Sequence, residues 1–291
     1  MKKIVFIVLV LLAAGLIYWK KPVNKPITPP AKKISPFDHI VLIVMENKTY
    51  GEIVGNPQAP YINSLIKNGA LAANYWATAH PSLPNYLDLT SGTHGDINSD
   101  CNPPSSGCHL AVRNIADELE KAGKSWKAYM ENMPDNCGLT NTGLYADKHN
   151  PFIYYDNIRN NVTRCREHDL SLTQLENDLP IFSFISPNLC HDMHDCSVAA
   201  GDKWLSQFIP PILQSAAFTK EKSLLIITWD EGSDFDNHTP AIFIGNQAKK
   251  GYRSNIRYNH YSLLRTVEYL LNLNPLTGND KNALIMFELL K

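Results

Sequence analysis

The chain has 291 residues, of which 44% are hydrophobic, so it can bury the core of one large domain or two small ones. Its formal net charge of −1 hides an uneven distribution: seven of the 27 basic residues lie in residues 1–37, which carry no acid, and the remaining 20 face 28 acidic residues, a net charge of −8. This acidic body argues against nucleic acid as a main partner, because binding to a phosphate backbone needs a basic surface.

The N-terminus has the features of an export signal. Two lysines precede an apolar run over residues 4–19, and two more follow it. The run is longer than a usual signal-peptide core and slightly short for a full membrane span, and no clear small-residue cleavage site follows. We predict a signal peptide or, in preference, an uncleaved membrane anchor over residues 1–21, and an extended linker rich in Pro and Lys over residues 22–36. The protein is then exported: periplasmic, secreted or membrane-anchored facing outside the cytoplasm.

The six cysteines predict three disulfides, because an even number in an exported chain is typical of disulfide pairing. Six cysteines allow 15 connectivities. The short spacings favour Cys101–Cys108 and Cys190–Cys196, which leaves Cys137–Cys165. A cysteine-ligated zinc site is the less favoured alternative, because the cysteines do not form close C-x-x-C pairs.

Strands and helices alternate along the first part of the chain. Residues 39–45 form a continuous apolar run typical of a central parallel strand, and Glu46 and Asn47 follow it directly. A helix is predicted over residues 60–68 and a short strand over roughly residues 70–76.

The next polar segment is framed by two prolines on either side of Ser82. Pro84 is suited to the first turn of a helix that runs to about Thr90, so Ser82 would lie at a helix N-terminus. Backbone N–H groups and the helix dipole favour an anion at that position. The alternative is that Ser82 only caps the helix. A glycine-rich turn that includes Asn98 follows.

The middle of the chain contains regular elements around an irregular region, residues 131–170, which we interpret as a disulfide-pinned cap near the site. The elements predicted next are a helix over 114–122, a strand over 126–130, a short helix over 172–178, a strand over 180–186 and a helix over 202–215 that is interrupted or bent at Pro210-Pro211.

The last part of the chain contains the most informative run, residues 223–232. Ser223 to Ile227 reads as a strand buried on both faces, and Asp230-Glu231-Gly232 follows it. A further strand is predicted over residues 241–244, and a helix introduced by Asn259 or Ser262 runs to Leu271. Such alternation indicates an α/β fold with a mainly parallel sheet covered on both faces, and residues 37–291 are taken as one domain.

Three strand ends carry ligand-type side chains: Glu46 with Asn47, Asp192 with His194 and Asp195, and Asp230 with Glu231. Ligands bind outside the carboxyl ends of strands in open α/β sheets. Carboxylates that share one crevice repel one another unless a cation or protons neutralise them. We therefore expect a divalent cation, and Mg, Ca, Mn and Zn all stay open. For Asp195, a role in a cap or in the disulfide loop is about equally expected.

Histidines need a separate judgement, because a single histidine is more often structural than catalytic. His238 and His260 each lie in a polar turn beside a regular element and are kept as candidates. Four others are interpreted as structural: His39, His109, His149 and His168.

Five ordered motifs resemble those of the phosphoesterase family, which includes acid phosphatases and, more distantly, phospholipases C, and which is related to the alkaline phosphatase superfamily. The motifs are Val44-Met45-Glu46-Asn47, His80-Pro81-Ser82-Leu83-Pro84-Asn85-Tyr86, Asp192-Met193-His194-Asp195-Cys196, Thr228-Trp229-Asp230-Glu231-Gly232 and Asn259-His260-Tyr261-Ser262. The resemblance runs from about His39 to Leu271. It implies a three-layer α/β/α sandwich with metal held at the strand ends.

The resemblance also implies roles for individual residues. Ser82 resembles the nucleophile, His80 or His260 the group that protonates the leaving alcohol, and Asn98 the phosphate-binding amide. The implied metal ligands are Glu46, Asn47, Asp230, Glu231, Asp192 and His194, and the implied substrate-binding residues are Asn85 and His238.

These features lead to one main hypothesis and two alternatives. The main hypothesis is an exported, metal-dependent acid phosphatase that hydrolyses phosphate monoesters through a phosphoserine intermediate. A phospholipase C-like phosphodiesterase is the nearest alternative, for which an apolar rim is expected from Tyr145, Phe152, Tyr154 and Tyr155. The other alternative is a catalytically inactive, surface-anchored binding module. The expected partners are a small phosphate ester or phospholipid and, through an uncleaved N-terminal segment, a membrane.

Overall fold

Nine strands form one sheet in the computed structural model, which describes residues 36–104, 107–176 and 178–291. The strands are β1 (His39–Met45), β2 (Ala70–Trp76), β3 (Trp126–Met130), β4 (Asp169–Ser171), β5 (Phe182–Ser186), β6 (Ser223–Trp229), β7 (His238–Ile244), β8 (Tyr252–Ser254) and β9 (Tyr258–Asn259). The predicted segment 1–21 and, apart from Pro36, the predicted linker 22–36 lie outside the described residues, so these two domain boundaries stay predictions. The described residues form one compact unit.

The sheet is mainly parallel, as predicted. Its order is β4-β3-β5-β1-β6-β7-β2-β8, with β9 paired to β2. Strand β7 is antiparallel to both of its neighbours, β6 and β2. The segment between β6 and β7 is short, and a connection of that length can only return the chain antiparallel, because a parallel neighbour needs a long crossover.

Helices cover both faces of the sheet, which confirms the α/β class and the three layers. The α-helices are α1 (Tyr50–Ile53), α2 (Pro60–Asn68), α3 (Ser82–Ser91), α4 (Ile115–Lys121), α5 (Asp156–Arg159), α6 (Val162–His168), α7 (Val198–Gln214), α8 (Ala216–Lys220), α9 (His260–Leu270) and α10 (Gly278–Asn282). Short 3₁₀ helices span Asp147–His149, Pro151–Tyr154, Leu172–Gln174 and Phe287–Leu289.

Alternate residues of the central strands pack in opposite directions. Val41, Ile43 and Met45 of β1 share one core cluster with apolar residues of α2 and α7. On the other face, Tyr86 of α3 meets Phe184 of β5 edge to face, with ring centroids 6.2 Å apart. Because both faces are covered, β6 is buried along its whole length, which is why its sequence is a continuous apolar run.

Strand register brings the functional residues together. Strand β1 pairs in parallel with β5 on one side and β6 on the other. Met45 is level with Trp229, so Glu46 and Asp230 leave the sheet side by side. Parallel strands present their carboxyl ends at one edge, and the side chains that follow β5, β1 and β6 therefore share that edge.

Helix α3 begins at Ser82 and carries Pro84 in its first turn, as predicted, and Pro81 takes the cap position without a side-chain cap bond, so Ser82 is not the helix cap. Helix α7 differs from the sequence-based expectation. Helix α7 runs from Val198 to Gln214 and continues through Pro210 and Pro211 instead of being interrupted there. Its apolar residues, among them Ile209 on the turn before the prolines, pack on the core and offset the hydrogen bonds that the prolines remove.

The cysteines form the three predicted disulfides, Cys101–Cys108, Cys137–Cys165 and Cys190–Cys196. No free cysteine is left among the described residues, so the alternative of a cysteine-ligated zinc site is wrong. In the same described ranges, no helix is both long and apolar enough to cross a membrane.

Candidate active site

Ser82 lies at the N-terminus of α3 and is 1% exposed. The loop before it is shaped by Asn85. The Oδ1 atom of Asn85 accepts from the backbone N–H groups of Thr78 and Ala79 at 3.0 and 2.9 Å, and its Nδ2 donates to the carbonyls of Ala79 and Pro81. These bonds occupy the whole amide, so the structure gives Asn85 a role in shaping the Ser82 loop in place of the predicted contact with substrate.

The Ser82 hydroxyl faces two strand-end carboxylates. Its Oγ donates to Glu46 Oε2 at 3.0 Å and lies at hydrogen-bond distance, 3.4 Å, from Glu231 Oε1. Glu46 is held in turn by Tyr86, whose hydroxyl donates to Oε1 at 2.6 Å. The predicted grouping of Glu46, Ser82 and Glu231 is therefore present in the structure.

The three strand ends are joined by hydrogen bonds from backbone N–H groups. Glu46 N–H donates to the carbonyl of Asp192 at 2.9 Å, and Asn47 N–H donates to Asp230 Oδ1 at 3.1 Å. Asp192 Oδ1 accepts from the N–H of His194 at 2.7 Å. The six residues predicted as metal ligands thus lie around one edge of the sheet.

His149 belongs to this cluster, although the sequence-based interpretation made it structural. Its Nε2 lies 3.2 Å from Glu46 Oε1 and its Nδ1 lies 3.2 Å from Asp192 Oδ2, but neither ring nitrogen makes a hydrogen bond. The residue follows no strand, so the strand-end pattern could not find it. The available signal was its place in the polar turn Asp147-Lys148-His149, inside the region predicted to cap the site.

Burial and mutual repulsion perturb every carboxyl group of the cluster. Burial, and after it the carboxylates of Asp230 and Asp192, raises the pKa of Glu46 well above its usual range. Burial, and then Glu231, does the same to the pKa of Asp230. Burial raises the pKa of Asp192 to about 7, and burial followed by Asp100 raises the pKa of Glu231 to about 7. A cation is needed to keep so many buried carboxylates ionised.

The side chains fit a divalent cation. The oxygen and nitrogen atoms of Glu46, His149 and His194 lie within 4.8 Å of one another. Two carboxylate oxygens of the cluster, Asp192 Oδ2 and Asp230 Oδ2, are buried without a hydrogen bond. Burial, and then Lys148, lowers the pKa of His149 well below its usual range, so its ring is neutral, as a metal ligand must be. Buried oxygens and imidazole nitrogens without partners are the donor set of a cation site.

The two histidines predicted as proton donors lie in different environments. His80 Nδ1 pairs with Glu231 Oε2, and the His80 side chain is 38% exposed. His260 is buried: its Nε2 bonds to the carbonyl of Asp230 and its Nδ1 to the hydroxyl of Tyr75 at 2.7 Å. Burial lowers the pKa of His260 to about 4. The His80 side chain is therefore open to solvent, whereas His260 is a neutral support for Asp230.

Two other candidates lie apart from the cluster. The exposed Asn98 donates its amide to the carbonyl of Asp96, and within the described residues it has no hydrogen bond to the strand-end groups. His238 is stacked between Tyr50 and Trp76 and bonds to the carbonyl of Ala73 at 2.8 Å. The structure shows these local roles, and the contacts of both residues with phosphate or substrate stay predictions.

The family of the chain follows from a sequence match that includes most of these elements. The phosphoesterase family model matches residues 56–274. The chain belongs to the phosphoesterase family. This phosphoesterase, a hydrolase that acts on ester bonds, therefore carries at its strand ends the cluster described above.

Relatives of this phosphoesterase include a mycobacterial and several fungal enzymes. A phosphatidylinositol-3-phosphatase of Mycobacterium tuberculosis is 35% identical over 256 residues, which are 87% of this chain and 83% of the relative. A probable acid phosphatase of Kluyveromyces lactis is 32% identical, over 86% of this chain and 62% of the relative. An acid phosphatase of Aspergillus fumigatus is 29% identical, over 86% of this chain and 58% of the relative. The chain thus spans about three fifths of these two fungal relatives.

Solved structures show the same fold at low sequence identity. A protein of the alkaline phosphatase superfamily from Vibrio parahaemolyticus has a TM-score of 0.60 and 14% identity, over 85% of this chain and 70% of that one. The murine ectonucleotide pyrophosphatase/phosphodiesterase 5, in complex with AMP, has a TM-score of 0.57 and 12% identity, over 87% of this chain and all of that one. The sandwich is therefore an alkaline phosphatase-superfamily fold.

Proposed function

We propose that this phosphoesterase is an exported, metal-dependent phosphomonoesterase of the acid phosphatase type. The observation that carries the proposal is the Ser82 hydroxyl at the N-terminus of α3, in contact with Glu46 and Glu231. A nucleophile needs a nearby proton acceptor, and a transferred phosphoryl group needs positive potential. The carboxylates and the helix N-terminus meet these two needs.

The proposed reaction has two displacements. Ser82 Oγ forms a bond to phosphorus while the bond from phosphorus to the alcohol oxygen breaks. The hydroxyl proton passes to Glu231, whose other oxygen contacts His80, and His80 returns a proton to the leaving alcohol. Water then attacks the phosphoserine, inorganic phosphate leaves and Ser82 regains its proton. Neutral His260 supports the carbonyl of Asp230 throughout.

The metal site proposed for this enzyme uses the strand ends and His149. Glu46, His149 and His194 would hold a divalent cation. Asp192 lies at the other ring nitrogen of His149 from Glu46, and Asp230 and Glu231 continue the acidic wall on the Ser82 side. When bound, such a cation favours the alkoxide form of a nearby hydroxyl and offsets the charge of the phosphoryl group. The unpartnered oxygens of Asp192 and Asp230 support this assignment.

Substitution of Ser82 tests the proposal. We expect Ser82→Ala to reduce turnover of an aryl phosphate by a factor of about 10³ or more, because no other hydroxyl holds this position. Acid-quenched wild-type enzyme should carry a phosphoryl group on the Ser82 peptide. Ser206→Ala, which removes an exposed hydroxyl of α7, is the matched control. Full activity of Ser82→Ala would contradict the nucleophile assignment, and a wild-type protein without metal or turnover would support the inactive binding module.

A phospholipid monoester is a second candidate substrate, favoured by Phe235. This side chain is fully exposed and lines a pocket together with Asn47 and His80, at the edge of the proposed site. An exposed aromatic ring can enter the interface of a bilayer. The mycobacterial relative, named for a phosphoinositide, supports the same substrate class.

Vesicles that contain phosphatidylinositol 3-phosphate test this substrate class against a soluble aryl phosphate. Phe235→Ser should lower turnover on vesicles about tenfold and leave aryl phosphate turnover unchanged, with Val162→Ser, at an exposed apolar position of α6, as control. Equal effects on both substrates would contradict a membrane role. The phosphodiesterase alternative has less support, because the aromatic residues expected to form its rim (Tyr145, Phe152, Tyr154 and Tyr155) are buried.

Export is supported by the three disulfides, which persist in oxidising compartments. We propose a periplasmic, secreted or outward-facing anchored enzyme, and cell fractionation with and without residues 1–21 distinguishes these locations. Recovery of the active enzyme from the cytoplasm with reduced cysteines would contradict export.

A further inference from the structure

The side chain of Asp100 contacts the N-terminus of α3 at Leu83, the residue that follows Ser82. Its Oδ1 accepts from the N–H of Leu83 at 3.0 Å, and its Oδ2 accepts from Lys148 Nζ at 2.8 Å. A carboxylate is therefore bound by one helix N-terminal N–H group and one ammonium group. Phosphate oxygens are bound by the same two kinds of donor.

Lys148 connects this position to the proposed metal cluster. It follows Asp147 and precedes His149 in a short 3₁₀ helix, and its side chain is only 16% exposed. Its Nζ is 3.5 Å from His194 Nε2. The ammonium group of Lys148 is thus held between the N-terminus of α3 and the proposed metal cluster. The oxygens of a phosphoryl group attacked by Ser82 have to lie in the same place.

The loop that carries Asp100 has anchors that do not involve this carboxylate. The Cys101–Cys108 disulfide closes the loop, and the carbonyl of Cys101 accepts from the Tyr154 hydroxyl at 2.6 Å. Leu110 N–H donates to the carbonyl of Tyr154 at 2.8 Å. The side chain of Asp100 can therefore leave the helix N-terminus without release of the loop, so its ion pair is not needed to hold this segment.

We propose that the N–H of Leu83 and the ammonium group of Lys148 form the seat for the oxygens of the substrate phosphoryl group, and that Asp100 occupies this seat until substrate displaces it. The inference rests on the proposed phosphomonoesterase function and adds two residues to it. Lys148 becomes a substrate-binding residue. Asp100 becomes a competing anion that weakens phosphate binding and thereby aids product release.

Inorganic phosphate is the probe for this seat. We expect Asp100→Ala to lower the inhibition constant of phosphate on the metal-loaded enzyme about fivefold or more, because the competing anion is gone. Lys148→Met should raise it about tenfold, the weight of one charge-assisted hydrogen bond. In the double variant, removal of Asp100 should change phosphate binding less than it does alone, since both substitutions act on one seat.

The controls separate this inference from the proposed function. Asp96→Asn removes an exposed charge from the preceding turn and should leave the inhibition constant unchanged. Asp100→Asn removes only the charge. It should also lower the inhibition constant of phosphate, and it replaces Asp100→Ala if that variant does not fold.

Calorimetric binding of phosphate to the metal-loaded Ser82→Ala enzyme gives the same comparison without turnover. If phosphate binds more tightly to the Asp100→Ala variant and more weakly to the Lys148→Met variant in that assay, the seat is supported even if the wild-type enzyme hydrolyses no phosphate ester. Unchanged or weaker phosphate binding in both Asp100 variants, or unchanged binding in Lys148→Met, overturns the inference whatever the enzyme hydrolyses.

Discussion

Nε2 of His149 lies 3.2 Å from Oε1 of Glu46 in the protein interior, yet the two groups share no hydrogen bond. A neutral imidazole and a carboxylate placed in this way leave a nitrogen and an oxygen atom that can both bind one metal ion. Buried polar groups normally find hydrogen-bond partners, so two unsatisfied ring nitrogens need an explanation. A cation bound to one of them, as proposed above, would account for that nitrogen.

Substitution of His149 should therefore reduce metal affinity. We expect His149→Ala to weaken binding of the activating divalent cation by a factor of about 10² or more, because a direct ligand is lost. Metal content after dialysis and a metal titration of activity measure the effect. His109→Ala, which removes a partly exposed histidine paired with Asp156, is the matched control. Equal metal content in both variants would return His149 to the structural role that its sequence context first indicated.

Removal of the metal should destabilise the protein. Glu46, Asp192, Asp230 and Glu231 are all buried, and without a cation their charges repel one another or must bind protons. We expect chelation to lower the melting temperature by several degrees or more, and the same metal to restore it. In a protein with Glu46→Gln and Asp230→Asn the effect of the chelator should shrink, because fewer buried charges depend on the cation. A melting temperature that does not respond to chelation would contradict a metal at these residues.

The sequence predicted most of the candidate site because strand ends have a recognisable pattern. Apolar runs that end in polar residues indicated Glu46 and Asp230, the polar cluster after the strand over residues 180–186 indicated Asp192, and the two prolines indicated Ser82. His149 and Lys148 could not be found in this way, because they come from an irregular segment whose position depends on tertiary packing alone. The same limit applies to Asn85 and His260: the family resemblance implied a substrate contact for Asn85 and proton donation for His260, but only the structure shows that backbone and tyrosine groups occupy their polar atoms.

His260 supports Asp230 and is not expected to act as an acid. Its Nε2–H donates to the carbonyl of Asp230 and its Nδ1 accepts from Tyr75, and burial lowers its pKa to about 4, so the ring is neutral above that pH. We expect His260→Gln to reduce kcat about tenfold or more through displacement of Asp230, with the shape of the pH–kcat profile unchanged between pH 5 and 8. His80→Gln should instead change that profile. Loss of the basic limb in His260→Gln would restore the original assignment of His260 as proton donor.

Glu268 on α9 should make the stability of the protein depend on pH. Burial, and then the neighbouring Asp280, raises the pKa of Glu268 to about 9, and its Oε1 has no hydrogen bond. Between the ordinary pKa of glutamate and about 9, the folded state binds a proton that the unfolded state does not, so the stability contributed by this group falls as the pH rises through that window.

The substitution Glu268→Gln removes this loss of stability at high pH. We expect the variant and the wild type to have similar free energies of unfolding near pH 4, and the variant to be more stable at pH 8 by on the order of 1–3 kcal/mol. Urea unfolding at both pH values measures the difference, with the exposed Glu176→Gln as control. A variant that is equally stable, or less stable, at pH 8 would show that Glu268 is ionised in the folded protein and compensated by its neighbour Arg265.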